Sequence, residues 1–284
     1  MDFVPYEFCE TLAGILRKPK TIDGAFSSRF WQRAIHKEVE NRCNLELAFG
    51  YSNGSWAYMM RNRRKKIITF EEFRGTIKQN FHIIGIAIKK MNIAIQLSFD
   101  ELRSGIDSIH HYMNAPELTV IGYDQQRIPD SISLVSTCSF RKIDLWNDPS
   151  LFENLLKKQM EKTTLKFIFL RSQNTFSPVL KSALEQFVLK KEFDRVKVDC
   201  LKTLFCKGYF ARIFHEKRSN GTFIGSFAFK LSYLEAFRED LQMCRDKDKK
   251  SIIWMRGDDR IEVTINGGKK LTIQFTINAH AAEF

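Results

Sequence analysis

The sequence predicts an α/β protein: two short helices and a β-hairpin, then strands alternating with helices in a curved, mainly parallel sheet, closed by antiparallel strands. Three observations carry this expectation. Apolar residues recur at helical spacing through residues 5–41, an Asn53-Gly54 turn joins two alternating segments, and one strand pattern recurs from residue 118 onward.

Pro5 to Lys18 reads as the first helix, with Pro5 in the first turn, Glu7 and Glu10 at its positive end, and Phe8, Leu12, Ile15 and Leu16 at helical spacing. A second runs from Ser27 or Ser28 to Asn41, with Phe30, Trp31, Ala34, Ile35 and Val39 as its apolar members. Leu45, Leu47 and Phe49 then alternate with polar or small residues, Ser52-Asn53-Gly54 turns the chain, and Trp56 to Met60 returns as a strand. Phe70-Glu71-Glu72-Phe73 begins a short helix, and Phe81–Ile88 and Ile93–Leu97 read as strands. Phe99 to Met113 reads as a helix with Leu102, Ile106, Ile109 and His110 on one face.

Four segments then share a pattern: Leu118-x-x-Ile121-x-Tyr123, Phe140-x-x-Ile143-x-Leu145, Leu165-x-x-Ile168-x-Leu170 and Phe193-x-x-Val196-x-Val198. Their central residues are 22, 25 and 28 apart, which is the period of leucine-rich repeats. Helical stretches fall between them, notably Pro149 to Glu161 and Phe176 to Lys190. No single strand-helix unit buries its own apolar face, so adjacent units must stack. The positions where such repeats carry an asparagine ladder hold Gln126, Asp148, Gln173 and Leu201, and a generic α/β sheet without true repeats stays open. The last third reads as a helix over Leu201 to Phe214, a strand over Thr222 to Phe229, a helix over Tyr233 to Cys244, and an antiparallel meander of Ser251–Met255, Arg260–Ile265 and Lys270–Ile277.

A hydrophobic share of 44% and a charged share of 27% are those of globular chains, so order is expected over nearly the whole length. The acidic N-terminus lacks the pattern of a signal or transit peptide and no apolar run is long enough to span a bilayer, which predicts a cytoplasmic or nuclear protein with no membrane partner. The excess of 45 basic over 33 acidic residues, +12, raises nucleic acid or an acidic protein surface as partner. The densest basic run, Arg61 to Lys66, reads as a solvated loop after a strand. Six scattered cysteines with no zinc spacing read as free thiols. No catalytic or phosphate-binding motif is present, so neither an enzyme nor a cofactor is expected. His110-His111 reads as a helix-end pair with one buried ring, Asp258-Asp259 with Glu262 as turn chemistry, and Cys200 and Cys206 lack a partnering histidine.

Phe3 to Leu12 followed by Phe26-Ser27-Ser28-Arg29-Phe30-Trp31 resembles a degenerate F-box, and Met1 to Phe8, Asn41-Arg42, Asn53 to Tyr58 and Phe70-Glu71-Glu72-Phe73 resemble a nematode-expanded family of F-box-like proteins. The resemblance implies an F-box-like module over 1–42, an F-box-associated α/β domain with degenerate leucine-rich-repeat-like units over 43–284, and a role as substrate-recognition subunit of a Skp-cullin-F-box ubiquitin ligase. Val4, Pro5, Phe8, Leu12, Ile15, Phe30 and Trp31 would then contact a Skp-type adaptor, and through it a cullin. The segment departs from an F-box in leaving little room for a third helix before Leu45. The alternative is a non-ligase binding protein, with nucleic acid on its basic surface. If Phe140, Ile143, Leu145 and their equivalents face the core, alternation places Lys142, Asp144, Phe167, Phe169, Arg195 and Lys197 on the opposite face, the candidate site for a protein substrate.

Overall fold

The computed structural model describes residues 5–15, 28–62, 64–75, 81–91, 94–122, 125–146, 149–171, 176–190, 193–198, 221–226, 242–245, 251–256, 259–266 and 270–276. Two compact units emerge, Met1–Pro116 and Glu117–Phe284. The two opening helices therefore share a unit with the hairpin, whereas the sequence reading separates 1–42 from 43–284.

In the first unit, α1 (Tyr6–Ile15) packs on α2 (Arg29–Asn41) through Cys9, Ala13, Trp31, Ala34 and Ile35, flanked by Tyr6, Leu12 and Val39. The buried face of α2 continues one turn beyond Ile35 to Glu38, a carboxylate among apolar neighbours. Two groups compensate it, one of them anchored in turn to α1. Arg42 Nε donates to Glu38 Oε1 at 2.7 Å, His82 Nε2 lies 3.1 Å from the same oxygen, and a terminal nitrogen of Arg42 donates to the Ala13 carbonyl at 3.1 Å. Burial pushes the Glu38 carboxyl up, but the hydrogen bonds and charges of His82 and Arg42 outweigh it and hold the group below its ordinary value. Since α2 ends at Asn41 and β1 begins at Cys43, no third helix lies between them.

β1 (Cys43–Ser52) and β2 (Ser55–Asn62) form the expected hairpin, with Asn53 and Gly54 at φ of 54° and 83°, the left-handed pair a two-residue turn requires. β3 (Ile67–Ile68), β4 (Phe81–Lys89) and β5 (Ile95–Leu97) complete the sheet, with β4 parallel to β1, and β3 and β5 antiparallel to β2. The short helix α3 (Phe70–Gly75) is capped by reciprocal Thr69 and Glu72 bonds, and its first N–H donates to the Tyr58 hydroxyl, whose ring stacks on Phe70 at 4.0 Å. α4 (Phe99–Ile109) starts at a Ser98–Glu101 capping box and buries Leu102, Gly105, Ile106 and Ile109. His110 and His111 follow in a 3-10 turn and are both exposed. Neither ring is buried, contrary to the sequence reading, because the chain leaves the α-helical path at Ile109 and turns the pair outward.

Among the described residues the second unit holds nine strands of mixed sheet, with helices between its parallel members. β6 (Glu117–Ile121), β7 (Lys142–Leu145), β8 (Phe167–Leu170), β9 (Arg195–Val198) and β10 (Gly221–Ser226) lie side by side in chain order. The pairings β6–β7, β7–β8, β8–β9 and β9–β10 are parallel. β11 (Gln242–Arg245), β12 (Ser251–Arg256), β13 (Asp259–Asn266) and β14 (Lys270–Thr276) extend it antiparallel, β14 pairing with β10. The expected meander is therefore present, but β11 makes strand of residues 242–244, which the sequence reads as the end of a helix. The helix expected over 201–214 lies outside the described residues.

Helices α5 (Ile128–Val135), α6 (Glu153–Glu161) and α7 (Pro178–Leu189) fill the first three crossovers. Right-handed crossovers between strands laid in chain order put all three on one face. Burial identifies that face: Leu118, Ile143, Ile168 and Val196 form one register row and Val120, Leu145, Leu170 and Val198 the next, all essentially inaccessible. Phe140, Leu165 and Phe193 precede them, also buried. The apolar pattern read from the sequence thus holds in β7, β8 and β9. The first copy is shifted: Leu118, not Ile121, aligns with Ile143, and Ile121 is exposed at the strand end before Gly122, which sits at φ of 52°. Leu118 occupied the leading position of that pattern by coincidence of spacing; alternation with Val120 decides its true place.

The copies are also tied alike. Lys166 and Phe167 N–H both donate to the Arg141 carbonyl, as Asp194 and Arg195 do to Lys166, and Trp146 and Arg171 N–H donate to Val120 and Leu145. At the position nine residues before the central aliphatic, two copies place buried Leu134 and Phe187, while the third places Gln159, fully buried. Its amide is satisfied: Oε1 accepts from Phe140 N–H at 3.1 Å and Nε2 donates to the Cys138 carbonyl at 2.7 Å.

Candidate functional site

The face opposite the helices carries two register rows. One is Glu117, Lys142, Phe167 and Arg195; the other is Thr119, Asp144, Phe169 and Lys197. Five of the six residues expected there are accessible: Lys142, Phe167, Phe169 and Lys197 are half-buried and Arg195 is exposed. The sixth differs. Asp144 is 5% exposed and held by Arg171, whose Nε and a terminal nitrogen donate to its two oxygens at 2.8 and 3.0 Å. A carboxylate satisfied bidentately at the sheet surface is a positioning group, not a presented one.

Asp144 positions Arg171 against the ring of Trp146, with the guanidinium carbon 4.1 Å from the ring centroid and the indole 47% exposed. Trp146 and Arg171 occupy the same place in successive copies, three residues after Ile143 and Ile168, where the chain leaves the strand. That shared position was the sequence signal for them, and the pattern of apolar residues alone passed over it. The two other aromatics are similarly matched: Lys142 Nζ lies 5.1 Å from the Phe169 centroid and Arg141 Cζ 5.5 Å from that of Phe167. Lys142 also pairs with Glu117 at 3.3 Å. Arg141 was likewise missed, and its Nε is buried without a hydrogen-bond partner.

On the first unit, the expected adaptor contacts divide. Phe8 and Phe30 are 51% and 47% exposed, one on each helix, and Pro5 is exposed too. Trp31 is 6% exposed and belongs to the α1–α2 core, and Leu12 is half-buried against it. Trp31 faces inward because the buried positions of α2 are 31, 34, 35 and 38, and Phe30 lies one residue, about 100°, off that stripe. Val4 and the Ile15 side chain lie outside the described residues. In the basic run, Arg61 pairs with Glu46 at 3.0 Å, and Arg64, Lys65 and Lys66 are exposed between β2 and β3, as a solvated loop requires.

Among the described residues, no three His, Cys, Asp or Glu side chains are grouped to hold a metal ion, and no helix is long and apolar enough to cross a membrane. Glu262 pairs with Arg260 at 2.7 Å, while Asp258, Cys200, Cys206 and the ladder positions 148, 173 and 201 lie outside the described residues. No family model, no curated protein and no solved structure matches the chain.

Proposed function

We propose that the chain is a substrate-recruiting subunit of a Skp-cullin-F-box type ubiquitin ligase, in which α1 and α2 form a degenerate F-box-like module and β6–β9 with their helices a leucine-rich-repeat-like platform. The observation that carries the recruiting half is the register that puts Phe167, Phe169, Arg195 and Lys197 on the face away from α5, α6 and α7, with all four accessible among the described residues. Aromatic residues and Arg are the side chains enriched in binding centres. The adaptor half is supported by Phe8 and Phe30, two large aromatics left half in water on helices that already have a complete core between them.

Pull-down of a purified Skp-type adaptor with the full chain tests the reading. The unsubstituted protein should retain the adaptor at micromolar concentration, and Phe8→Glu with Phe30→Glu should weaken retention by about tenfold or more while leaving the melting temperature unchanged, since neither ring is core. Absence of adaptor binding by the unsubstituted chain overturns the ligase assignment. Retention unaffected by the double substitution removes these helices from the interface.

A further inference from the structure

We propose that the β6–β9 face binds an acidic, extended peptide segment, with carboxylates on Arg141, Arg195 and Lys197 and an apolar residue beside Phe167 and Phe169. This rests on the reading of that face as a protein-recruiting surface and specifies what it recruits. Five basic side chains gather around it, of which Lys142 and Arg171 already share a carboxylate with Glu117 and Asp144. Among the described residues no carboxylate pairs with Arg141, Arg195 or Lys197, so the face carries uncompensated positive charge. Arg141 lies beside Phe167, its guanidinium carbon 5.5 Å from the ring centroid, and a guanidinium takes a carboxylate through paired N–H donors.

The ring–cation pairs favour a peptide carboxylate. Phe167, Phe169 and Trp146 have cations 5.5, 5.1 and 4.1 Å from their centroids, and a carboxylate binds at the outer edge of such a cation and leaves the pair intact. A base stacked on an open ring face is the competing occupant that the test must separate. Four adjacent strands span about 14 Å, the length of about four extended residues, so a peptide laid across β6–β9 runs along the register rows and meets each strand once.

Fluorescence anisotropy with the full chain tests this using four probes: a short labelled peptide of mixed Glu, Asp and Leu, its Gln/Asn counterpart, a Lys/Leu peptide, and oligo-dT of matching length. The acidic peptide should bind best, and Arg195→Glu with Lys197→Glu, both surface changes, should weaken it by about tenfold or more. Tighter binding of oligo-dT, lost in the same variant, overturns the acidic peptide in favour of nucleic acid. Binding of the amide or lysine peptide in preference, still sensitive to the double substitution, overturns the acidic class but leaves the face as a protein site. No probe responding to the double substitution, nor to Phe169→Ala, overturns both.

Discussion

Gln159→Met tests whether the repeat units are locked by a buried amide as the structure implies. The glutamine is fully buried on α6 and serves the turn entering β7, so the change removes two hydrogen bonds of unequal consequence. The Cys138 carbonyl keeps a second donor, Lys162 Nζ at 2.9 Å, and loses only the net value of one bond, about 1 kcal/mol. Phe140 N–H has no such substitute and becomes a buried orphan, costing about 1–3 kcal/mol. Methionine matches the volume and gains a little transfer energy, so the sum is a loss of about 2–4 kcal/mol. Urea unfolding followed by far-UV circular dichroism should show a lowered midpoint with an unchanged slope. Lys158→Met, an exposed position on the same helix, serves as control and should stay within about 0.5 kcal/mol. A Gln159→Met loss no larger than that control refutes the reasoning, because the amide would then have no anchoring role.

Two further outcomes follow from the first unit. The folded-state value of Glu38 is depressed, so its stabilising contribution is present in full above the unfolded carboxylate value and is lost as pH falls through the lower folded one. Glu38→Gln should therefore lower stability at neutral pH by about 1–3 kcal/mol and flatten the acid limb, read from melting temperatures across the acid range; an unaltered acid limb would exclude Glu38 as its source. Gly105→Ala should destabilise by about 1–3 kcal/mol although alanine favours helices, because a Cβ there would run into the Phe70 ring; pairing it with Phe70→Leu should recover part of the loss in the same urea assay, and a neutral Gly105→Ala would show that ring free to move.

Local patterns survived folding where one physical constraint acts alone. The Asn53-Gly54 turn, the helical stripes and the alternation in β7, β8 and β9 depend on backbone preference and on which side chains water rejects, and all are legible residue by residue. The accessible face followed from the same alternation, since fixing Ile143, Ile168 and Val196 inward leaves Lys142, Phe167 and Arg195 no other side. Three features needed the tertiary structure. Leu118 and Ile121 are equally apolar, and only pairing with β7 shows which is core. Asp144, exposed by periodicity, is buried because Arg171 from the next unit closes over it, and Glu38 sits in a core because Arg42 and His82 converge on it. Alternation and helical period record what a residue does with its immediate neighbours along the chain. Whether a charge is presented or consumed depends on partners tens of residues away, 27 in the case of Asp144 and Arg171 and 44 for Glu38 and His82, and that information exists only once the strands are side by side.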